Sequence, residues 1–359
     1  MLGGLVLLGG GAVLGTAPRA AAQVGFPGAP DEPGINLRIY PLDTWTPRVG
    51  VGTGAGLVWF YGLGPGSSND ARQSIERSAL TFEVRVGQHF LDQRLLLQPR
   101  LKLSGHRVDR VPAPSAAGLD DQSRVHLQQL ASDRVGALSP EQTGLRVGVN
   151  LQYDTRPPAA RPRRGILLEA GWSRYVDLSA SLLHYDRLDL AAVGSLPLYG
   201  AHHLVTRLSL VHTAARGRAA VPYYLRPTLD GPLVPGWVRH RFVDSDRLVG
   251  SLLYRFPLVQ PFGLVDLGGH LGVHAASVYD DVFFDAALDL TFEEAPDLDP
   301  SSVPLRPAAS LGLHLGLTFR QTPSLDLALG ISPEGITAVR FTLNQDLQAL
   351  RQPHHRIRR

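Results

Sequence analysis

Cysteine is missing from this 359-residue chain, and lysine occurs once, at Lys102. Without cysteine there are no disulfides, no thiol catalysis and no thiolate metal sites. With a single lysine, almost all positive charge sits on arginine, which favours paired, bidentate contacts over diffuse surface charge. Charged residues make up 19% of the chain, fewer than a typical soluble domain carries.

A long hydrophobic run is also missing. The apolar segment Leu2–Leu14 is too short for a membrane-spanning helix. It precedes the small residues Ala20, Ala21 and Ala22, an order typical of a signal peptide, although no Lys or Arg comes before it. We therefore predict a signal peptide over residues 1–22, with a buried N-terminal helix as the alternative. Any membrane crossing would then use strands, which must close because lipid cannot satisfy a free sheet edge.

From Val51 onward the hydrophobic pattern has a period of two. Leu80, Phe82, Val84 and Val86 alternate with polar or small residues, and similar runs surround Leu101, Val147 and Leu252. The runs are about ten residues long, whereas strands of soluble sandwiches average roughly 5–6 residues. Their polar faces suit a water-filled lumen. Helical periodicity is not sustained; 123–133 is compatible with a short helix, a loop or an irregular strand.

These runs predict an all-β fold, a transmembrane antiparallel β-barrel of 14 or 16 strands. A secreted soluble β-domain is the alternative. Residues 23–50, rich in proline and glycine, are predicted as a periplasmic lead-in, residues 51–345 as the barrel and residues 346–359 as a basic tail. The predicted location is the bacterial outer membrane, where the partners would be outer-membrane lipids and lipopolysaccharide.

One stretch, Asp246–Gly269, organises the chain: two alternating runs meet at Pro257–Pro261. Its residues Tyr254, Arg255 and Phe256, followed by Asp266-Leu267-Gly268, resemble the penultimate-strand region of the BamA/TamA outer-membrane assembly family, the bacterial surface antigen barrels. The loop before it contributes two further matching pieces, Gly236-Trp237 and Arg241-Phe242-Val243-Asp244. The family has arginine where this chain has Pro235, and commonly glutamate where it has Leu253.

A second matching segment lies between two barrel strands. Asp154, Arg156 and Gly165 fit the family's pattern of Asp-x-Arg, a proline and a glycine. Asp154 and Arg156 would share a face at a strand end and pin the turn; a simple charged turn explains them equally well. The resemblance covers about residues 144–345. It implies sixteen strands, with fourteen as the alternative.

The resemblance also implies a lock inside the lumen. In the family, the loop arginine pairs with the aspartate of the Asp-x-Gly strand. Because Pro235 stands in the arginine's place, we predict that Arg239 or Arg241 substitutes, and Arg241 is preferred as the partner of Asp266. The alternative is a hydrated Asp266 in an open pore with a free loop.

Three functional classes remain open. The resemblance implies a barrel that assists insertion or translocation of client outer-membrane proteins; the family's soluble POTRA domains, for which the lead-in is too short, would then come from a separate periplasmic partner. The alternatives are a passive or gated pore with an arginine-lined lumen, and a structural surface barrel without transport.

Other activities are not expected. The pairs Ser209/His212 and His202/His203, and the set Ser181, His184 and Asp186, fit neither a nucleophile elbow nor metal-ligand spacing, so we predict no enzyme. The acidic interval 273–307 has no twelve-residue calcium loop. No cofactor, metal or nucleic-acid partner is predicted, since the net charge of +3 comes without a basic run interleaved with aromatics.

Overall fold

The computed structural model describes most of the chain in segments. They are residues 21–25, 34–40, 45–64, 66–92, 94–108, 113, 115–132, 141–156, 164–179, 183–216, 220–229, 234–238, 240–259, 265–283, 305–317 and 325–343. Residues 1–20 and 344–359 fall outside these ranges, so the signal peptide and the basic tail stay predictions.

Strands dominate the described ranges. They are β1 Ala21–Gly25, β2 Gly34–Tyr40, β3 Trp45–Phe60, β4 Gln73–Phe90, β5 Leu95–Val108, β6 Glu141–Asp154, β7 Gly165–Asp177, β8 His184–Pro197, β9 His203–Ala215, β10 Thr228–Leu229, β11 Phe242–Val243, β12 Asp246–Val259, β13 Val265–Tyr279, β14 Arg306–Leu317, β15 Leu325–Ser332 and β16 Gly335–Leu343. One α-helix, α1, spans Asp121–Ser132, and 3-10 turns span Asn69–Ala71 and Tyr223–Leu225. Residues 123–132 are therefore helical, one of the forms that the sequence allowed.

Fourteen strands join in one sheet in the order β1 to β9, then β12 to β16. Neighbours in this order pair antiparallel, and β9 pairs directly with β12. The short strands β10 and β11 pair with each other apart from the large sheet. The predicted fold class, an all-β antiparallel barrel, is confirmed, while the strand number of the complete barrel stays a prediction.

The two faces of the sheet differ as the alternation predicts. Leu80, Leu101, Val147 and Leu252 are all exposed apolar residues of the outer face. Polar residues at the alternate positions of the same strands, such as Gln98 of β5 and Gln152 of β6, are buried on the inner face. An apolar outside and a polar inside are what a wall between lipid and water requires.

We predict that a charge on the outer face is costly. Val147→Arg would place a guanidinium against lipid and should destabilise the barrel by about 2–4 kcal/mol if position 147 lies near the bilayer midplane. Arg146→Lys, on the inner face of the same strand, should cost much less. Refolding titrations of both variants in lipid vesicles check this, and equal penalties on the two faces would contradict the barrel assignment.

Glycines make room for flat rings on the inner face. A Cβ added at Gly268 would lie 2.3 Å from His314 Nε2, and one at Gly312 would lie 2.2 Å from His270 Cε1. At Gly272 the added atom would lie 2.5 Å from Ser310 Oγ, the hydroxyl that contacts His274 Nε2 at 2.9 Å. Along β13 and β14, histidine rings of one strand therefore pack against glycines of the other.

The barrel begins earlier in the chain than predicted. Residues 23–50 were assigned to a lead-in, yet β2 and the start of β3 lie within them, and β1 begins at Ala21 inside the predicted signal peptide. The sequence does alternate here, with Ile35, Leu37 and Ile39 between polar residues. Proline and glycine obscured that pattern, although Pro47 is accommodated in β3 opposite Val86.

The two ends of the barrel differ in their connections. At one end, the loop end, they span residues 26–33, 61–72, 109–140, 178–183, 216–245, 280–305 and 333–334; at the other, the turn end, they span 41–44, 91–94, 155–164, 198–202, 260–264 and 318–324. Long loops on one side and short turns on the other are typical of outer-membrane barrels. As for helices, none among the described residues is long and apolar enough to cross a membrane.

Candidate functional site

The long connection between β9 and β12 folds into the barrel. Its residues pack against inner-face residues of β12, β13 and β14 to form an inner cluster of Leu229, Val234, Trp237, Phe242, Val249, Ala276, Val278 and Ala308. The inner face here carries valine and alanine where other strands carry charge. The wall is thus apolar where the loop lies on it, and burial of this surface favours the loop's inward position.

A glycine pair sets how closely the loop approaches the wall. Gly236 has a φ of +114°, a value that residues with a side chain rarely adopt. A Cβ added at Gly330 of β15 would lie 2.1 Å from Gly236 N and 2.6 Å from Pro235 C. Because these are backbone contacts, only glycine at position 330 permits the observed position of the loop.

Arg241 fastens the loop to two other connections. Its Nε and Nη2 donate to Glu334 Oε1 at 3.0 and 2.9 Å, and Glu334 lies between β15 and β16. Its Nη1 donates to Ser67 Oγ at 2.9 Å, and that hydroxyl donates to the carbonyl oxygen of Arg241 at 3.1 Å. The Arg241 side chain is only 6% exposed. We call Arg241, Glu334 and Ser67 the latch.

The latch corrects the predicted partner of Arg241. The partner was predicted to be Asp266, but all three guanidinium nitrogens contact Glu334 or Ser67. Asp266 pairs with Gly316 near the turn end. It precedes Tyr279 by thirteen residues (279 − 266), which is about 43 Å along a strand. The side chain of Asp266, and Arg239 altogether, lie outside the described residues.

Phe242 is held between two guanidinium groups. The Cζ atoms of Arg241 and Arg306 lie 4.4 and 4.2 Å from its ring centroid. Trp237 meets the same ring edge-on, with centroids 5.2 Å apart. Cation–π contacts strengthen when they are desolvated, and Phe242 is fully buried. The ring therefore joins the latch to the inner cluster.

Asp244 forms a second buried ion pair behind the latch. Its Oδ1 accepts a hydrogen bond from Arg226 Nη1 at 3.1 Å, and Arg226 Nη2 lies 3.4 Å from His126 Nδ1 of α1. Burial raises the pKa of Asp244 to about 6 despite the neighbouring guanidinium. Burial, with a smaller effect of Arg226, lowers the pKa of His126 to about 3, which keeps that ring neutral near pH 7.

Apolar side chains close the loop end around this pair. The cap cluster consists of Phe60, Leu63, Ala71, Val108, Leu119, Leu127, Tyr175, Leu183, Tyr185, Val221, Tyr223, Tyr224 and Val243. It joins α1, the β3–β4 loop and the β9–β12 loop to the tops of β5, β7 and β8. The loop end is thus packed like a domain core, with the latch and the Asp244 pair as its polar fastenings.

The strand-end motif comes together as predicted, at the turn end. Asp154 Oδ1 accepts from Arg156 N at 3.0 Å and from Nε at 2.8 Å, and Oδ2 accepts from Nη2 at 2.7 Å. Gly165 has a φ of +133°, and an added Cβ would lie 2.9 Å from Arg156 Cα. The motif therefore pins the β6–β7 connection and has no contact with the latch in the described ranges.

The residues Tyr254, Arg255 and Phe256 split between the two faces of β12. Tyr254 Oη lies 2.6 Å from His202 Nδ1 and 3.2 Å from Tyr199 Oη on the outside. Phe256 lies over Gly269, whose added Cβ would be 2.5 Å from the ring. Arg255 is buried. The outer residues form part of an aromatic girdle at the turn end, as barrels carry at membrane interfaces.

The inner face of the first half carries mostly positive charge. Arg187 pairs with Asp189 at 2.9 Å, and Arg100 lies 3.6 Å from the same carboxylate. On β4, Arg85 pairs with Glu83 at 2.6 Å. Together with Lys102 and Arg146 of neighbouring strands, they give this wall of the lumen a positive excess.

The candidate catalytic sets do not converge in the described residues. Ser209 is buried on the inner face of β9, and His212, three residues on, belongs to the opposite face. Asp186 pairs with Arg174 and Arg216, while Ser181 lies outside the described ranges. The ligand atoms of His212, Asp246 and Asp281 lie within 4.8 Å of one another. Asp246, however, already accepts from His212 Nδ1, Thr213 N and Val282 N, which fastens the start of the β13–β14 loop.

Sequence reasoning missed the partners that complete the site. Glu334 is an isolated acidic residue before Gly335, Ser67 sits in a Gly/Ser-rich loop, and Gly330 reads as one of many glycines. None stands in a motif. Only the Arg241–Asp244 segment, singled out by the resemblance, pointed to the region where they meet.

The comparisons with known proteins agree with this architecture. No family model matches the sequence, and a search of curated proteins finds no match. Among solved structures, BamA from Haemophilus ducreyi lacking POTRA domains 1–3 is similar with a TM-score of 0.58 and 13% identity, over 87% of this chain and 61% of that chain. CdiB from Escherichia coli is similar with a TM-score of 0.51 and 10% identity, over 87% of this chain and 51% of that chain.

This chain therefore spans between half and two thirds of the length of these two neighbours. At such low identities, what they share with it is the fold alone. The strands, the two faces and the inserted loop identify the fold as that of an outer-membrane β-barrel protein.

Proposed function

We propose that the protein works in the outer membrane without enzymatic chemistry, assisting β-strands of client outer-membrane proteins to insert beside the seam between β1 and β16. The observation that carries this proposal is the length of the strands. β1, β2, β15 and β16 have 5, 7, 8 and 9 residues, whereas the other ten strands of the sheet have 12–18. Within the described residues, the wall is therefore shortest on both sides of the seam.

Short strands weaken the membrane where they stand. A tilted transmembrane strand needs about 9–11 residues, and the described parts of β1, β2 and β15 fall below this. A short hydrophobic wall thins the bilayer around it. Among the described residues, β1 and β16 each pair with one neighbour only, so an extended client segment would add as a further strand on the other side. Both effects lower the barrier to entry at the same place.

The latch is well placed to control this seam. Ser67 follows β3 on one side, and Glu334 precedes β16 on the other. Arg241 binds both, so it ties the loops on either side of the seam together at the loop end. Release of the latch would let the two edges separate while the rest of the sheet stays paired.

Crosslinking at defined positions tests the proposal, and the cysteine-free chain gives a clean background. Val24→Cys in β1 and Phe341→Cys in β16 would carry a photoreactive maleimide, with Val147→Cys in β6 as the matched control. We expect crosslinks to a urea-unfolded small barrel protein at positions 24 and 341 but not at 147, together with faster client folding in liposomes that contain the protein. Equal crosslinking at all three positions, or unchanged folding rates, would contradict insertion at the seam.

A pore is the second candidate, supported by the positive inner face. Arg100, Arg187 and their neighbours would favour anionic solutes, and the cap cluster would have to open for conduction. Single-channel recordings distinguish the two functions. The pore would be supported by anion-selective conductance steps whose selectivity falls in the double variant Arg100→Gln/Arg187→Gln, while client folding does not change.

A further inference from the structure

A cluster of charged residues lies on the outside of the wall. Arg174 of β7 is in register with Asp186 of β8, and Asp186 with Ala214 of β9. They alternate with the buried inner-face residues Tyr175 and Tyr185, so they belong to the outer face. Arg174 lies near the end of β7 and Asp186 near the start of β8, so both are at the loop end.

Two arginines share one carboxylate in this cluster. Arg174 donates through Nε and Nη2 to the two oxygens of Asp186 at 2.8 and 2.9 Å. Arg216, directly after β9, donates through Nε to Asp186 Oδ2 at 2.9 Å. The side chains of Arg174 and Arg216 are 53% and 62% exposed, while Asp186 is 12% exposed. With two arginines and one aspartate, the cluster has a net charge of +1.

Stability alone does not account for this arrangement. Ion pairs as exposed as these contribute about 0–1 kcal/mol. A guanidinium has five N–H donors, and Asp186 engages two of Arg174 and one of Arg216. The carboxylate holds both forks in fixed positions and leaves donors for a further acceptor. Fixed, partly exposed forks are the geometry that binds phosphate.

The surroundings indicate where that acceptor comes from. Arg174, Val176, His184 and Arg216 line an open pocket on the outer surface. Trp172, exposed on the same face two residues from Arg174, has its ring centroid 5.8 Å from the guanidinium carbon. Tryptophan marks the membrane interface in barrels. The pocket therefore sits where lipid headgroups would meet the protein.

We propose that Arg174 and Arg216 bind the phosphate of a lipid headgroup, of the kind that lipopolysaccharide carries, on the outer surface at the loop end. This rests on the proposed place of the barrel in the outer membrane with the loop end outward. The chemistry is that of a phosphate monoester held by two guanidinium groups beside Trp172, and it involves neither the lumen nor the seam.

Binding of labelled lipopolysaccharide to the full chain in detergent micelles tests this. We expect the unmodified protein to prefer phosphorylated over dephosphorylated lipopolysaccharide by about tenfold or more. Arg174→Gln/Arg216→Gln should lose the preference, and Arg124→Gln, an exposed arginine of α1, should keep it. Because Arg216 lies just beyond β9, the single change Arg216→Gln should leave folding normal, as heat-modifiable gel mobility would report. The same variant should lose most of the preference for phosphorylated lipopolysaccharide.

Two results would overturn the proposal. If the preference survives in the folded double variant, the arginines do not bind the lipid phosphate. If millimolar inorganic phosphate displaces the lipid completely, the site takes free phosphate instead. Client folding in vesicles without lipopolysaccharide serves as the separate measure of the proposed function, because it should be equal in all these variants whether or not the lipid site exists.

Discussion

Arg241→Ala should open the loop end. The change leaves the Glu334 carboxylate and the Ser67 hydroxyl without the guanidinium that joins them. Removing one partner of a buried ion pair costs about 3–5 kcal/mol; because Glu334 is 25% exposed, we expect about 3 kcal/mol. If that energy opposes loop release, opening becomes about a hundredfold more frequent.

A single cysteine reports the opening directly. Val234, in the inner cluster, is fully buried, so the thiol of Val234→Cys should react slowly with a maleimide until the loop leaves the wall. We expect the rate to rise about a hundredfold when Arg241→Ala is added. Arg124→Ala is the control, because its pair with Asp121 is largely exposed and worth little.

The pair itself is tested by coupling. Glu334→Ala should raise the labelling rate, and the double change Arg241→Ala/Glu334→Ala should add less than the two single effects together. Fully additive effects would mean that Arg241 acts through Ser67 or Phe242, and that its ion pair with Glu334 does not keep the loop on the wall.

Gly330→Ala should push the loop away from the wall by a steric clash alone. Its Cβ would stand 2.1 Å from Gly236 N, and a backbone atom of a loop seated on the wall has little room to yield. Overpacking typically costs about 1–3 kcal/mol, and here the least costly relief is for the loop to move off the wall, toward the barrel axis. We expect a strong rise in labelling of Val234→Cys, with the strands of the sheet intact.

Gly105→Ala is the matched control for this change. Gly105 also lies in a strand, and no atom stands within 4 Å of its added Cβ, so labelling should not change. If Gly330→Ala labels as slowly as Gly105→Ala, the loop does not depend on the glycine contact and is held by the inner cluster and the latch.

The sequence predicts the strands of the barrel and their two faces better than it predicts the contacts of the latch. Alternation of residues such as Leu101 and Lys102, or Val147 and Arg146, assigns the two faces because each strand obeys a local rule of period two. The same rule was obscured in β2, a strand of only seven residues that begins at Gly34 and is followed by Pro41. Local patterns therefore locate strands of normal length and lose the short ones.

The latch depends on contacts between distant parts of the chain. Arg241 is 93 residues from Glu334 and 174 residues from Ser67, and no periodicity links them. The resemblance pointed to the right arginine but, through Asp266, to a position near the opposite end of the barrel. The register of the whole sheet has to be known before such partners can be chosen.

The fitting of rings against glycines has a consequence for how this protein can diverge. At positions 268, 272 and 312 a side chain added to the glycine would have to displace the ring or hydroxyl that faces it. Each of these glycines and the side chain that faces it are therefore expected to change together, so that descendants of this chain keep both or have lost both.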